Sequence, residues 1–266
     1  MIKVVQIPAI ERMEIEKTIN KNLARKGLIH RRILETVCSE TKIWMPYYKI
    51  RYEFTNEGND PSFNQENTGS GMTALNAMFS SCVVEENDLL SLFRPDIHEL
   101  ELVNHNPSQE VVGSVETADI PTIFDKLLEY RTEIDIERQE MAQELRQIHR
   151  RMQTMSLFLP TSKATRIRED QLTRRLAQIS GVRFSFLMRL GLPDNALFTE
   201  VTNAGVFYCP QLIVSVENQQ TGEDRFIIID FVRLGQKKGG SLDDALSRLC
   251  SVDDACRATL EAVIDK

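Results

Sequence analysis

Trp44-Met45-Pro46-Tyr47-Tyr48-Lys49-Ile50-Arg51-Tyr52-Glu53 decides how this chain is read, because it is echoed by Tyr208-Cys209-Pro210-Gln211-Leu212-Ile213-Val214-Ser215-Val216-Glu217. After Pro46 apolar and charged residues alternate, with Tyr48, Ile50 and Tyr52 set against Lys49, Arg51 and Glu53. That period of two describes a strand with one face on a core and the other in water. Proline donates no backbone hydrogen bond, so each strand is expected to begin or bulge at its proline.

The echo extends outward. A shift of 164 residues aligns 11–53 with 175–217 without a gap and gives eight identities in 43 positions, including Leu23 with Leu187, Gly27 with Gly191 and Pro46 with Pro210. In each copy a helical stretch (10–26 and 173–190) ends at Arg-x-Gly-Leu, where a glycine past the last turn can adopt the left-handed conformation that closes a helix. Two extended segments follow in each copy, 31–38 and 42–54, then 196–202 and 206–217. A third strand is expected at 73–79 and at 225–232, and then a helix from Glu85 and from Ser241. Ser251-Val252-Asp253-Asp254 caps a final helix to Ile264. The 56–71 loop of the first copy, rich in turn formers and acids, is expected not to order itself.

Between the copies, Pro121 to Leu157 is almost free of helix breakers, and Leu127, Ile134, Met141, Ile148 and Met155 recur every seven residues. That is the seam of a helix packed against another. Ser162 is a cap candidate for a returning helix with Ile167, Leu172, Leu176 and Ile179 on its apolar face, which makes an antiparallel hairpin. One long helix lying on the domains and a coiled-coil dimer through this insert are the other readings. Residues 141–192 hold ten basic residues against three acids, a net +7 in a chain whose total is −7. The cations Arg146, Arg150, Arg151, Lys163, Arg166, Arg168, Arg174 and Arg175 are therefore the candidate partner-binding set, for an acidic protein surface or for nucleic acid. The competing reading is a solvated helix face paired with the acidic remainder of the molecule.

Trp44, Tyr47 and Tyr48 form a candidate aromatic platform for a partner, with burial in the core as the competing reading. No phosphate-cradling glycine loop, Gly-x-Ser-x-Gly or His-Glu-x-x-His occurs, and the four histidines are dispersed. The five cysteines include no Cys-x-x-Cys pair, so neither a disulfide framework nor a metal site is indicated, and no cofactor is expected. The element order resembles that of restriction-endonuclease-like cores, but the acid-x-Lys their metal site needs is absent: Asp230 is followed by Phe231-Val232-Arg233. A pocket between the copies, lined by Glu53, Glu217 and Asp230, is the remaining enzymatic reading.

The composition, 42% hydrophobic and 27% charged over 266 residues, excludes wholesale disorder, and no apolar run is long enough to span a bilayer. A cytoplasmic location is expected. The fold class is α+β: two diverged α-β-β-β-α repeats in pseudo-twofold arrangement, with a long coiled-coil-like helical hairpin insert between them. The segments are 1–118, 119–172 and 173–266. The expected function is that of a non-enzymatic adaptor or assembly subunit binding another protein. The alternatives are a nucleic-acid-associated protein with a degenerate nuclease-like core and an enzyme.

Overall fold

A computed structural model describes residues 1–26, 32–56, 68–82, 85–97, 100–155, 162–192, 196–235 and 244–265. The Gly27 stop, most of the 56–71 loop, the turn after Leu157 and the Ser241 cap lie outside these residues. The chain is mixed α+β, with helices packed on a seven-stranded mixed sheet. Two strands dominate: β4 (Glu35–Asn56) and β8 (Ala196–Asn218) pair antiparallel along their whole lengths. The two extended segments expected in each copy are therefore one continuous strand, bent at register shifts between Val37 and Ser39, Tyr48 and Ile50, and Glu53 and Phe54.

The outer edges of this central pair are filled in the same way on both sides. β5 (Thr68–Asn76) pairs with β4 from Tyr47↔Asn76 to Thr55↔Thr68, and β9 (Asp224–Asp230) pairs with β8 from Gln211↔Asp230 to Glu217↔Asp224. Beside them, two short strands run parallel to the long ones: β7 (Val111–Val112) meets β4 at Trp44↔Val112, and β1 (Ile2–Val5) meets β8 at Val4↔Tyr208. β6 (Leu102–His105) closes the sheet antiparallel to β1, and β2 (Arg25–Lys26) pairs antiparallel with β3 (Arg32–Ile33) in a separate two-stranded ribbon.

The expectation that the strands begin or bulge at Pro46 and Pro210 is corrected. Both prolines sit mid-strand in regular pairing, as Trp44↔Pro210 and Pro46↔Tyr208. The carbonyls of Trp44 and Pro46 accept from Gly113 and Ala77, which lie on the outer edge, away from β8. In a strand the N–H and C=O of one residue point the same way, so the N–H that Pro46 lacks would face the gap between β7 and β5. Pro210 lies in the corresponding gap, between the β8 residues that pair with β1 and with β9. The central ladder loses no donor to either proline.

The alternation after Pro46 holds: Tyr48, Ile50 and Tyr52 are buried, and Arg51 and Glu53 are exposed. One face of the sheet packs Leu212, Val214, Val216, Ile227 and Ile229 against Ile19 and Leu23, contributed by and just beyond α1 (Arg12–Asn22). The opposite face packs against α2 (Glu86–Ser91), α6 (Asp244–Val252), α7 (Asp254–Ile264) and the roots of the two long helices. A one-turn helix, α5 (Phe231–Gly235), follows β9. The final helix is capped by Asp253, whose side chain accepts from the Cys256 N–H. Among the described residues no helix is long and apolar enough to cross a membrane.

The third strand of the first copy starts earlier than the sequence suggests, since Thr68–Gly71 belong to β5. Gly69 and Gly71 lie opposite Phe54 and Tyr52, and the two rings cover the space where their Cβ atoms would stand. α1 in turn stops at Asn22, short of Lys26.

Two Gly→Ala substitutions are expected to act with opposite signs. At Gly71 the added Cβ would stand 2.4 Å from Tyr52 Cζ, in a ring held by its hydroxyl to the Leu190 carbonyl. Urea denaturation should show Gly71→Ala less stable by about 1–3 kcal/mol. Gly181 lies inside an exposed helix with nothing within 4 Å, so Gly181→Ala should be more stable by up to about 1 kcal/mol.

Candidate functional site

Two long helices carry the basic segment. α3 (Ile120–Met155) and α4 (Lys163–Leu190) run antiparallel, as the cross-pairs Glu144–Arg168, Glu137–Arg175 and Asp135–Arg183 require. Ser162 caps α4 by accepting from the Thr165 N–H, and Gly191, at φ 66°, closes it in the left-handed conformation. α4 is one unbroken helix, so the boundary placed at 172/173 falls inside it.

The hairpin is rooted at one end only. Ile120, Phe124 and Leu127 on α3 and Phe186, Leu187 and Leu190 on α4 enter the main core. There the hydroxyl of Tyr52 donates to the Leu190 carbonyl, one of the acceptors a helix end leaves unpaired. Burial pushes the Tyr52 phenol up to about 12, which keeps it a donor. Ile134, Leu172 and Ile179 are buried along the seam, and beyond Ile134 no described α3 side chain is buried. Some 20 residues of α3, about 30 Å, thus extend past the core.

Charge divides along this length. From the base outward, basic and acidic side chains pair: Arg183 with Asp135, Arg175 with Glu137, Arg174 with Asp170 and, well along the hairpin, Arg168 with Glu144. The Arg168 hydrogen bond holds the Glu144 carboxyl below its ordinary range. Residues 145–167 at the tip contain five lysines and arginines and no acid, and the bordering Glu169 is taken by His149 at 2.8 Å. Arg146, Arg150, Arg151, Lys163 and Arg166 are exposed there. Arg146 bonds back to the Ala142 carbonyl, while Arg151, Lys163 and Arg166 have no ion-pair partner among the described residues. Lys163 and Arg166 also stand in the first turn of α4, where the helix dipole disfavours cations. Of the eight cations singled out in the sequence, Arg168, Arg174 and Arg175 pair with acids of the hairpin, Arg146 and Arg150 also have partners, and Arg151, Lys163 and Arg166 at its free end have no ion pair among the described residues.

Trp44, Tyr47 and Tyr48 are buried, so they offer no platform. Their polar atoms point inward to protein partners: Trp44 Nε1 donates to Glu110 at 2.7 Å, the Tyr48 hydroxyl donates to the Glu116 carbonyl, and the Tyr47 hydroxyl accepts from Gln211 Nε2 at 2.8 Å. The first two contacts fasten the stretch before α3 to β4.

The acids proposed for a catalytic pocket do not meet. Glu53 pairs with Glu200 and Glu217 with Thr36, positions far apart along the central ladder. Asp230 is buried in an ion-pair cluster with no sequence signature. Its Oδ2 lies 2.5 Å from Arg94 Nη2, and its Oδ1 accepts from the Val232 N–H. Arg94, only 1% exposed, also donates to both oxygens of Asp96, and Arg233 reaches Asp96 at 3.3 Å. Asp224, at the far end of β9, pairs with Arg257. This is a structural cluster in which each buried charge has its counter-charge.

Compared with known proteins, the chain matches no family model, no curated protein and no solved structure.

The ion-pair cluster makes stability fall in acid. Burial pushes the Asp96 carboxyl up, but hydrogen bonding and attraction from Arg94, and then Arg233, outweigh it and hold the group at about 2. A carboxyl depressed in the fold stabilises fully above its unfolded value, near 4, and loses that contribution as pH falls toward 2. Asp96→Asn should therefore be less stable than the native chain near neutrality, with the gap closing between about pH 4 and pH 2 in thermal melts. Asp230→Ala, which removes one of the two counter-charges of the buried Arg94, should cost about 3 kcal/mol or more.

Proposed function

We propose that this chain is a non-enzymatic adaptor or assembly subunit that grips an acidic surface of a partner protein with the tip of the α3–α4 hairpin. The observation that carries this reading is the separation of paired from unpaired cations along one hairpin. Arginines that merely solvate a helix face have acids beside them, as Arg168, Arg174 and Arg175 do, whereas Arg151, Lys163 and Arg166 have no ion-pair partner among the described residues. Placing Lys163 and Arg166 against the helix dipole costs stability, which favours a role outside the fold. The same cations suit phosphate, so nucleic acid is the second reading. The described tip residues include no phenylalanine, tyrosine or tryptophan on which a base could stack, which favours protein.

The reading includes an internal duplication, and the strand register supports it. Met45 pairs with Cys209, its own counterpart at a shift of 164, and the flanking pairs Trp44↔Pro210 and Pro46↔Tyr208 exchange under the same shift. β5 on β4 and β9 on β8 keep equivalent registers, with Tyr47 and Gln211 matched to Asn76 and Asp230. β7 and β1 dock on the equivalent residues Trp44 and Tyr208. In this account each unit begins with a short strand that adds to the long strand of the other. The hairpin is then an insertion into the second unit, with the seven-residue spacing of Leu127 and Ile134 answered by Leu172, Ile179 and Phe186.

The test uses the full chain as bait in nuclease-treated lysate, beside a variant carrying Arg151→Gln, Lys163→Gln and Arg166→Gln. The native chain should retain a saturable protein partner that 0.5 M salt, roughly, releases, and the variant should lose it while melting no lower than native. A partner that the variant retains overturns the assignment to the tip. Binding abolished by nuclease, with DNA affinity falling steeply as salt rises, overturns it in favour of nucleic acid.

A further inference from the structure

Cysteines that look scattered in sequence meet in space. Cys82 lies in the turn after β5, where its N–H donates to the Phe79 carbonyl. Cys250 lies near the end of α6 and Cys256 in the first turn of α7, and only Asp253 separates those two helices. The Cys82 and Cys256 sulfurs and a carboxylate oxygen of Asp253 lie within 4.8 Å of one another. The Cys256 thiol interacts with its neighbours Cys82 and Cys250. The turn after β5 and the start of α7 therefore deliver two thiols and a carboxylate to one place, and both thiols are buried, as is that of Cys250.

Apolar packing alone accounts for a buried cysteine, which behaves as a small hydrophobic residue. It does not account for Asp253 among them. A carboxylate beside two thiols penalises their ionised forms. A divalent cation reverses that relation, because it attracts every one of these groups. The dimensions suit it: tetrahedral bonds of about 2.3 Å to sulfur and about 2.0–2.2 Å to oxygen put donor atoms roughly 3.5–3.8 Å apart. Sulfur donors select a soft or borderline ion of the zinc class over magnesium or calcium.

We propose that Cys82, Cys256 and Asp253 form a structural binding site for a zinc-class divalent cation. On binding, each ligating thiol releases its proton to solvent and coordinates as thiolate, while Asp253 coordinates through one oxygen. Its Oδ1 already accepts from the Cys256 N–H as the cap of α7, so the carboxylate both starts the helix and faces the ion. The bound ion would fasten the turn after β5 to the α6–α7 junction, joining residues 171 positions apart, from 82 to 253. This site is independent of the hairpin tip.

The full chain, purified with reductant and chelator and then freed of chelator, is titrated with Co²⁺. One equivalent should produce thiolate-to-cobalt charge-transfer absorption and tetrahedral d–d bands, and Zn²⁺ should displace both and raise the melting temperature. Cys82→Ser and Cys256→Ser should abolish the charge-transfer bands, and Cys38→Ser, at an exposed cysteine away from the cluster, should leave them unchanged. Asp253→Asn keeps a capping side chain and so preserves the fold, while weakening Co²⁺ on the order of tenfold or more. Absence of charge-transfer bands in the native chain overturns the proposal. So do bands that survive both cysteine substitutions, or a disulfide among Cys82, Cys250 and Cys256 in the freshly purified protein.

Discussion

The ladder between β4 and β8 is the constraint from which the remaining structure follows. Its strands come from opposite halves of the chain, yet they pair from Glu35↔Asn218 to Asn56↔Ala196 through the middle of the sheet. Every other strand of that sheet is added to an outer edge of this pair or, in β6, to β1. Neither half can complete its core without the other, because Ile213 and Ile228 of the second half and Tyr48, Ile50 and Leu75 of the first belong to one apolar cluster. Two prolines at the centre are compatible with this only because each faces a gap between edge strands.

The ladder also positions the hairpin. Tyr52 on β4 holds the end of α4, while Tyr48 and Trp44 on the same strand hold the segment leading into α3. The aromatic residues that looked like a binding surface instead anchor the element that carries the cationic tip. Rigid roots and a length of hairpin beyond the core suit a part that works by contact at its far end, and the division of charge along it agrees with that proposal.

Local signals were legible in the sequence wherever a residue acts on its immediate neighbours. The alternation of Tyr48, Ile50 and Tyr52, the stop at Gly191 and the caps at Ser162 and Asp253 all required only a few consecutive residues. The break expected between 38 and 42 and between 202 and 206 failed because pairing to a long partner strand overrides weak local turn formers. Gly69 and Gly71 read as turn residues, whereas in the sheet they make room for two rings across the strand. The return of the hairpin and the helix expected over 173–190 are one element, since no glycine or proline interrupts 163–180 and the strain-free Gly181 does not stop a packed helix. Arg94 with Asp96, Asp230 and Arg233, and the three cysteines with Asp253, carry no spacing rule, because their members become neighbours only when β5, β9 and the last helices pack. The free end of the hairpin was legible as charge, but which cations it shares with acids depended on helix pairing.

Native-state hydrogen exchange tests the dependence on this ladder most directly. If β4 and β8 hold one cooperative body, the amides that bridge them in 39–47 and 207–215 exchange only through global unfolding, with the same free energy of opening in both strands. Protection that differs by several kcal/mol between the two strands, or that persists in one after the other has exchanged, would contradict the account.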